Sequence, residues 1–249
     1  MDVTRPEGSR IEHPPTNNRS QTVAELPAAL SVAAHDVAEA IRVVSGYLEL
    51  LDGHAAGTLD ETAQRYVAGV RDGIEHLDGL VTGLLVYLRV NVEAPAFERV
   101  DLAEVLEEAL RSLHGELDRR GARVEFGELP AVVADPSRMR EALRGLVDNA
   151  LTFTADEPPV IAVSAERRDD AWCIEVRDNG TGVPADARER VLEPFERAHP
   201  RAVATGPGLG LAIARCVIAR RGGQLWVGEV EDGAGTSVQF TIPDEVPAS

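Results

Sequence analysis

From Leu30 to Leu51 the apolar positions run Leu30, Ala34, Val37, Ile41, Val44, Leu48 and Leu51. Their steps alternate four and three, which draws one seam along a helix. Gly53 and Gly57 in DGHAAGT interrupt the pattern. It resumes as Ala63, Val67, Val70, Ile74, Leu77, Val81, Leu84 and Leu88, behind Thr58-Leu-Asp-Glu61, which reads as a capping box. Two helices of similar length and a short loop predict an antiparallel hairpin. Leu50, Leu80 and Leu85 lie beside the seam, so a lone hairpin leaves apolar surface uncovered. Pairing of two hairpins into a four-helix bundle predicts a homodimer. Packing on the rest of the same chain is the alternative.

After Asn91 to Ala96, a short linker containing Pro95, the periodicity becomes mixed. Asp101 is placed to cap a helix through about Arg120, with Glu104 completing a second box. ARVEF and AVVAD read as strands. Asp135-Pro136 opens a helix to about Thr154 with proline at its first position. VIAVSAE and AWCIEVR form a strand pair around RRDD. Helical patterns follow at Ala185 to Val191 and Leu209 to Arg221, and QLWVGEV and TSVQFTI are closing strands. This order predicts an α+β fold. The hairpin, forming a dimeric four-helix bundle, is followed by an α/β sandwich with helices on one face of a mixed sheet. The expected units are a disordered segment at 1–24, the hairpin at 25–92 and the mixed domain at 98–245.

Charge and composition remove some functions. A net charge of −17 leaves no basic face of the kind that phosphate backbones need, so nucleic acid is not the expected partner. Cys173 and Cys216 form no CxxC pair and read as small apolar side chains. No apolar run reaches the ~18 residues of a membrane span, and the first residues lack a signal-peptide layout. A cytoplasmic protein is expected.

Three stretches carry candidate chemistry. RDNGTGVP, Arg177 to Pro184, packs Asp178, Gly180 and Gly182 into one turn after a strand and runs on into a helical pattern. An ordinary Asn-Gly turn is the plain reading, but two glycines with no following strand imply close backbone approach. ATGPGLGLAIARC places Gly206, Gly208 and Gly210 directly before a helix, where free amides and the helix dipole favour an anion. It lacks the GK[ST] of a Walker loop. In EALRGLVDNALTFT, Asn149 falls among Leu143, Leu146, Val147 and Ala150. Asparagine is a poor helix former, so it either faces solvent or aims its oxygen at Mg²⁺ or a phosphate.

Taken in order, the Asn-bearing helix, DNGTGVP, EPFER and GPGLGLAI resemble the N, G1, F and G2 boxes of the sensor histidine kinase ATP-binding domain. That domain belongs with the gyrase-type ATPases. HDVAEAIRVVSGYLELL, FERVDL and VVADPSRMRE are most similar to the phytochrome-type branch. The resemblance implies ATP and Mg²⁺ as cofactors. Asn149 matches the asparagine that helps hold Mg²⁺, and Asp178 the acid that accepts from the adenine amino group. Gly180 and Gly182 match glycines that lie against the base, Phe195 the F-box aromatic, and Gly206, Gly208, Leu209, Gly210 and Leu211 the triphosphate loop. Arg197 is placed to reach the phosphates. His35 matches the phosphoacceptor and Asp36 the acid after it.

The seam puts His35 on the outside of the bundle, where a neutral imidazole is a competent nucleophile near pH 7. His13, His54, His76, His114 and His199 lack this setting and read as surface histidines. Expected, then, is a protein-histidine kinase that phosphorylates His35 and passes the group to an aspartate of a response regulator. A separate sensor domain or protein is a further possible partner. Several positions depart from the resemblance. Ala40 stands where a proline is usual, Glu39 where many relatives have Asn or Thr, Gly145 for a common asparagine and Thr152 for a common lysine. Pro207 removes one amide from the glycine loop. These changes leave open an alternative, a dimeric phosphotransfer protein or scaffold with little ATP turnover.

Overall fold

The computed structural model describes residues 19–55, 58–154, 158–198, 208–230 and 235–245, with side chains from Leu30 onward. Two long helices, α1 (Arg19–Ala55) and α2 (Glu61–Val92), form the hairpin. Helix α1 already includes residues 19–24, which the sequence reading gave to a disordered segment. Val23 and Leu26 extend the four-and-three pattern back from Leu30, so the helix has reason to begin early. Helix α2 is capped by Asp60 and not by Thr58. Asp60 Oδ1 accepts from the Ala63 amide at 2.7 Å. The carboxylate is a better acceptor for a free helix amide than the hydroxyl two residues back, which turns to Ala55 O instead.

The seam splits in two. Ala34 and Ile41 are 6% and 7% exposed, whereas Val37 and Val44 are 47% and 46% exposed. On α2, Ala63, Val67, Ile74 and Val81 are half-buried, while Val70 and Leu77 stay exposed. Half of the seam closes the hairpin, and the other half faces outward.

The second unit is built on a mixed five-stranded sheet. Strands β2 (Arg123–Phe126), β4 (Val160–Arg168), β5 (Ala171–Asp178), β6 (Leu225–Gly228) and β7 (Ser237–Pro243) run in the order β2-β4-β5-β7-β6. Only β2 and β4 are parallel. A separate two-stranded ladder joins β1 (Glu98–Asp101) to β3 (Ala131–Ala134). Alternate residues on three strands, Ile161 and Val163, Ile174 and Val176, Val238 and Phe240, are buried. They share one core with helices α3 (Leu102–Ser112), α5 (Pro136–Thr152) and α6 (Gly210–Arg220). The helix expected from Asp101 to Arg120 breaks at Leu113 into α3 and the short α4 (His114–Arg120). The pattern at Ala185 to Val191 forms two single 3₁₀ turns and no α-helix. Pro184 and the extended Glu193 bracket a stretch too short to propagate a helix.

The mixed unit grips the end of the hairpin. Val90 of α2 lies in the common core. The Arg138 guanidinium, itself buried, donates to the carbonyls of Val90, Glu93 and Ala94 at 3.4, 3.0 and 3.3 Å. Arg220 donates to Asn91 O and Glu93 O at 2.6 and 2.9 Å. The last carbonyls of α2, which have no partner within the helix, are thus satisfied by cations from α5 and α6. No described helix is long and apolar enough to cross a membrane.

Candidate functional site

A pocket opens between the C-terminal half of α5, the N-terminus of α6 and the turns that follow β5. On α5 it is lined by Gly145, Asp148, Asn149 and Thr152. These positions are three and four apart, so they share one helix face. Asn149 therefore faces the pocket and not bulk solvent.

The glycines explain how the walls meet. Gly145 and Gly210 stand backbone to backbone. A Cβ on Gly145 would sit 3.2 Å from Gly210 O, and one on Gly210 3.1 Å from Gly145 O. The α6 amides are thereby brought against α5 one turn before Asn149. Gly208 takes φ +73°, and its carbonyl accepts from the Phe195 amide at 2.9 Å. That bond closes a loop whose residues 199–207, including Gly206 and Pro207, lie outside the described residues. Phe195 has φ +66° and its ring is exposed, while Glu196, Arg197 and Ala198 line the pocket. A large side chain in the left-handed region is a strained choice held by its surroundings.

Asp178 ends β5 behind the pocket wall; it is buried and is not itself among the lining residues. Its Oδ1 accepts from the amides of Gly180 at 2.8 Å and Thr236 at 3.0 Å, and Thr236 lines the pocket. Burial raises the Asp178 pKa, and the amides of Gly180 and Thr236 and the Thr236 hydroxyl oppose that rise. Gly182 takes φ +74° and lines the same wall, whereas Gly180 backs onto Phe153 O. Gly235 is also required, since a Cβ there would overlap the Asp178 carbonyl. Of the glycine-loop residues, Gly208, Gly210 and Leu211 line the pocket. Leu209 is buried and points to α2, where a Cβ on Gly83 would come within 2.7 Å of it.

Comparison with known proteins follows this geometry. Residues 134–246 match the model of the histidine kinase-, DNA gyrase B- and HSP90-like ATPase family. The phytochrome-like protein Cph1 of Synechocystis is 32% identical over 91% of the chain. The methanogenesis regulatory histidine kinase FilI of Methanothrix harundinacea is 32% identical over 88%. The region 134–246 belongs to the histidine kinase-, DNA gyrase B- and HSP90-like ATPase family.

The chain spans 30% of the length of Cph1 and 25% of that of FilI. Full-length ShkA, solved in complex with AMPPNP, superposes with a TM-score of 0.67 at 28% identity, covering 90% of this chain and 47% of that one. The matched ATPase-family region contains the pocket, whose lining runs from Gly145 to Thr236.

His35, Asp36 and Glu39 are exposed on α1, and Ala40 continues the helix without a break. On α5 the Thr152 hydroxyl donates to Asp148 O at 2.8 Å, so it folds back on its own helix. Asp148, absent from the sequence reading, lines the pocket beside Asn149. Burial raises its pKa, opposed by Arg144. The Gly145/Asn149 spacing pointed to this face, since Asp148 is three residues from Gly145. Thr236 was also missed, because it meets Asp178 only through the pairing of β5 with β7. Among the described residues no group of three or more His, Cys, Asp or Glu side chains could hold a metal unaided. Asn149 and Asp148 nevertheless offer the oxygen donors that Mg²⁺ prefers, with nucleotide phosphates and water to complete six ligands.

Proposed function

We propose that the chain is the kinase core of a two-component system, phosphorylating His35 from ATP. The observation that carries this reading is one chain holding both an exposed histidine on a helical hairpin and a pocket lined by the N-terminus of α6 and by Thr236, whose amide is bonded to the buried Asp178. The proposed division is a hairpin at 25–92 for dimerisation and phosphoacceptance and a domain at 98–245 for ATP. Asp178 accepts from the adenine amino group, with Gly180 and Gly182 beneath the base. Gly206, Gly208, Leu209, Gly210 and Leu211 belong to the phosphate loop, where Leu209 acts through its seat on α2 while its neighbours offer backbone. Arg197 and Phe195 flank the same end. Asn149 would hold Mg²⁺, which when bound offsets charge on the transferring group.

His35 attacks the γ-phosphorus through one ring nitrogen. The new N–P bond forms as the bond to the ADP oxygen breaks, and Asp36 takes the proton from the other nitrogen. The phosphoryl group then passes to an aspartate of a response regulator, regenerating neutral His35. The outward half of the seam, including Val37, Val44, Val70 and Leu77, supports a second copy as the partner of the hairpin. The proposed compartment is the cytoplasm.

Incubation with γ-labelled ATP and Mg²⁺ tests the reading. Label should appear on the chain, be acid-labile, and be lost in His35→Gln. Equal labelling of that variant rejects His35. A second reading, a phosphotransfer scaffold with little turnover, draws on Gly145 and Thr152, which place no amide or cation where relatives often have them. It predicts phosphate uptake from a phosphorylated regulator but none from ATP.

A further inference from the structure

We propose that the Asp148 carboxylate, beside the Asn149 amide, is a ligand of the divalent cation that accompanies the nucleotide, so that this pocket prefers ATP as its metal complex. The inference rests on the reading of the pocket as a nucleotide site.

Two carboxylates line the pocket, Asp148 and Glu196. Glu196 is paired with Arg190 at 3.4 Å. Asp148 has no hydrogen-bond partner for its carboxylate among the described residues. Arg144, whose charge acts on it, turns its guanidinium to Glu141 at 2.9 and 3.2 Å. A half-buried carboxylate without a partner is disfavoured unless something arrives to satisfy it.

Its position says what that is. The Gly145–Gly210 contact sets the α6 N-terminus against α5. An anion held by the α6 amides lies one helical turn from Asp148 and Asn149. A bare triphosphate there would meet the Asp148 charge at close range and be repelled. A lysine four residues on could neutralise the acid, but Thr152 occupies that place and the chain contains no lysine. A divalent cation between carboxylate and phosphates turns both repulsions into attraction. One or two protein oxygens plus phosphate oxygens is the usual way Mg²⁺ is held. Asp148 thus fills the need left at Gly145, where the backbone of Gly210 leaves no room for a longer side chain.

The test is nucleotide binding by calorimetry to the full chain, with ATP in excess Mg²⁺ and with ATP in EDTA. Mn²⁺ binding in the presence of ATP is followed by electron paramagnetic resonance. The parent should prefer the metal complex by ~10- to 100-fold. Asp148→Asn and Asp148→Ala should bind Mg·ATP more weakly and metal-free ATP more tightly, collapsing that ratio, and Mn²⁺ affinity should fall with it. An unchanged ratio in both variants overturns the role of Asp148 while leaving the pocket a nucleotide site. A lower melting temperature of the nucleotide-free variants with an unchanged ratio assigns Asp148 to the fold and overturns it too. No binding of either form by the parent overturns the nucleotide reading, and this inference with it.

Discussion

Asp178 is the proposed acceptor for the adenine amino group. One oxygen is committed to the amides of Gly180 and Thr236, and burial holds the carboxyl above its ordinary pKa. Asp178→Asn keeps an oxygen for those amides but presents an N–H₂ to the adenine amino group. ATP affinity should fall about 10- to 100-fold in calorimetry, the cost of a mismatched buried polar pair. The nucleotide-free fold should not suffer. A raised folded pKa means that the carboxyl's contribution is present below its unfolded value and lost as pH rises through the folded one. The melting temperature of the variant relative to the parent should therefore rise between acidic and neutral pH. A variant less stable than the parent at neutral pH would show that the charge is used in the fold.

At the scale of elements, the two halves of the α1 seam do different work. Ala34 and Ile41 close onto α2, whereas Val37 and Val44 are half exposed and point elsewhere. A like pair, Val70 and Leu77, is exposed on α2. An apolar stripe of this length on two adjacent helices suits a second hairpin. Val44→Glu combined with Leu77→Glu places charge in that stripe and leaves the inner seam intact. Sedimentation should then give a monomer where the parent gives a dimer, with helix content by circular dichroism unchanged. A parent that sediments as a monomer removes the four-helix bundle from the reading. The seam's existence was legible from spacing alone. Its division into inner and outer halves was not, because a four-and-three repeat does not say which neighbour covers each position. The break at Leu113 and the 3₁₀ turns after Pro184 were likewise beyond local pattern. Short segments take the conformation that packing leaves them.

At the scale of the molecule, the hairpin and the ATP-binding unit share a core through Val90 and are joined by Arg138 and Arg220. Arg138 is central. It bonds three carbonyls at the end of α2 and lies 3.4 Å from Asp135. Burial alone would raise the Asp135 carboxyl. The amides of Ala96 and Arg138, the Ser137 hydroxyl and the Arg138 charge together hold it below its ordinary value. A lowered folded pKa contributes stability above the unfolded value, and that stability is lost as pH falls through the folded one. Arg138→Ala leaves a buried carboxylate and three carbonyls without their cation. It should cost ~3–5 kcal/mol in denaturant unfolding at neutral pH. The acid transition should move to higher pH, and the gap between variant and parent should narrow below the titration of Asp135. An unshifted acid midpoint would show that Asp135 is held by its amide donors alone.

The order of the boxes, the hairpin and the position of Asn149, Asp178 and Gly208 to Leu211 could be read from residue types and spacing. Each of these rests on a local rule: helical period, glycine at positive φ, free amides before a helix. Other features depend on chain segments far apart in sequence. Strand pairing brings Thr236 and Gly235 to Asp178. The Gly145–Gly210 contact decides where α6 delivers its amides, and Leu209 turns out of the pocket to seat on Gly83. Asp148 is the clearest case, since its type and place were in plain view. Only the tertiary structure showed that it faces the pocket without a partner, because what satisfies a charge is decided by everything packed around it and not by its neighbours in the chain.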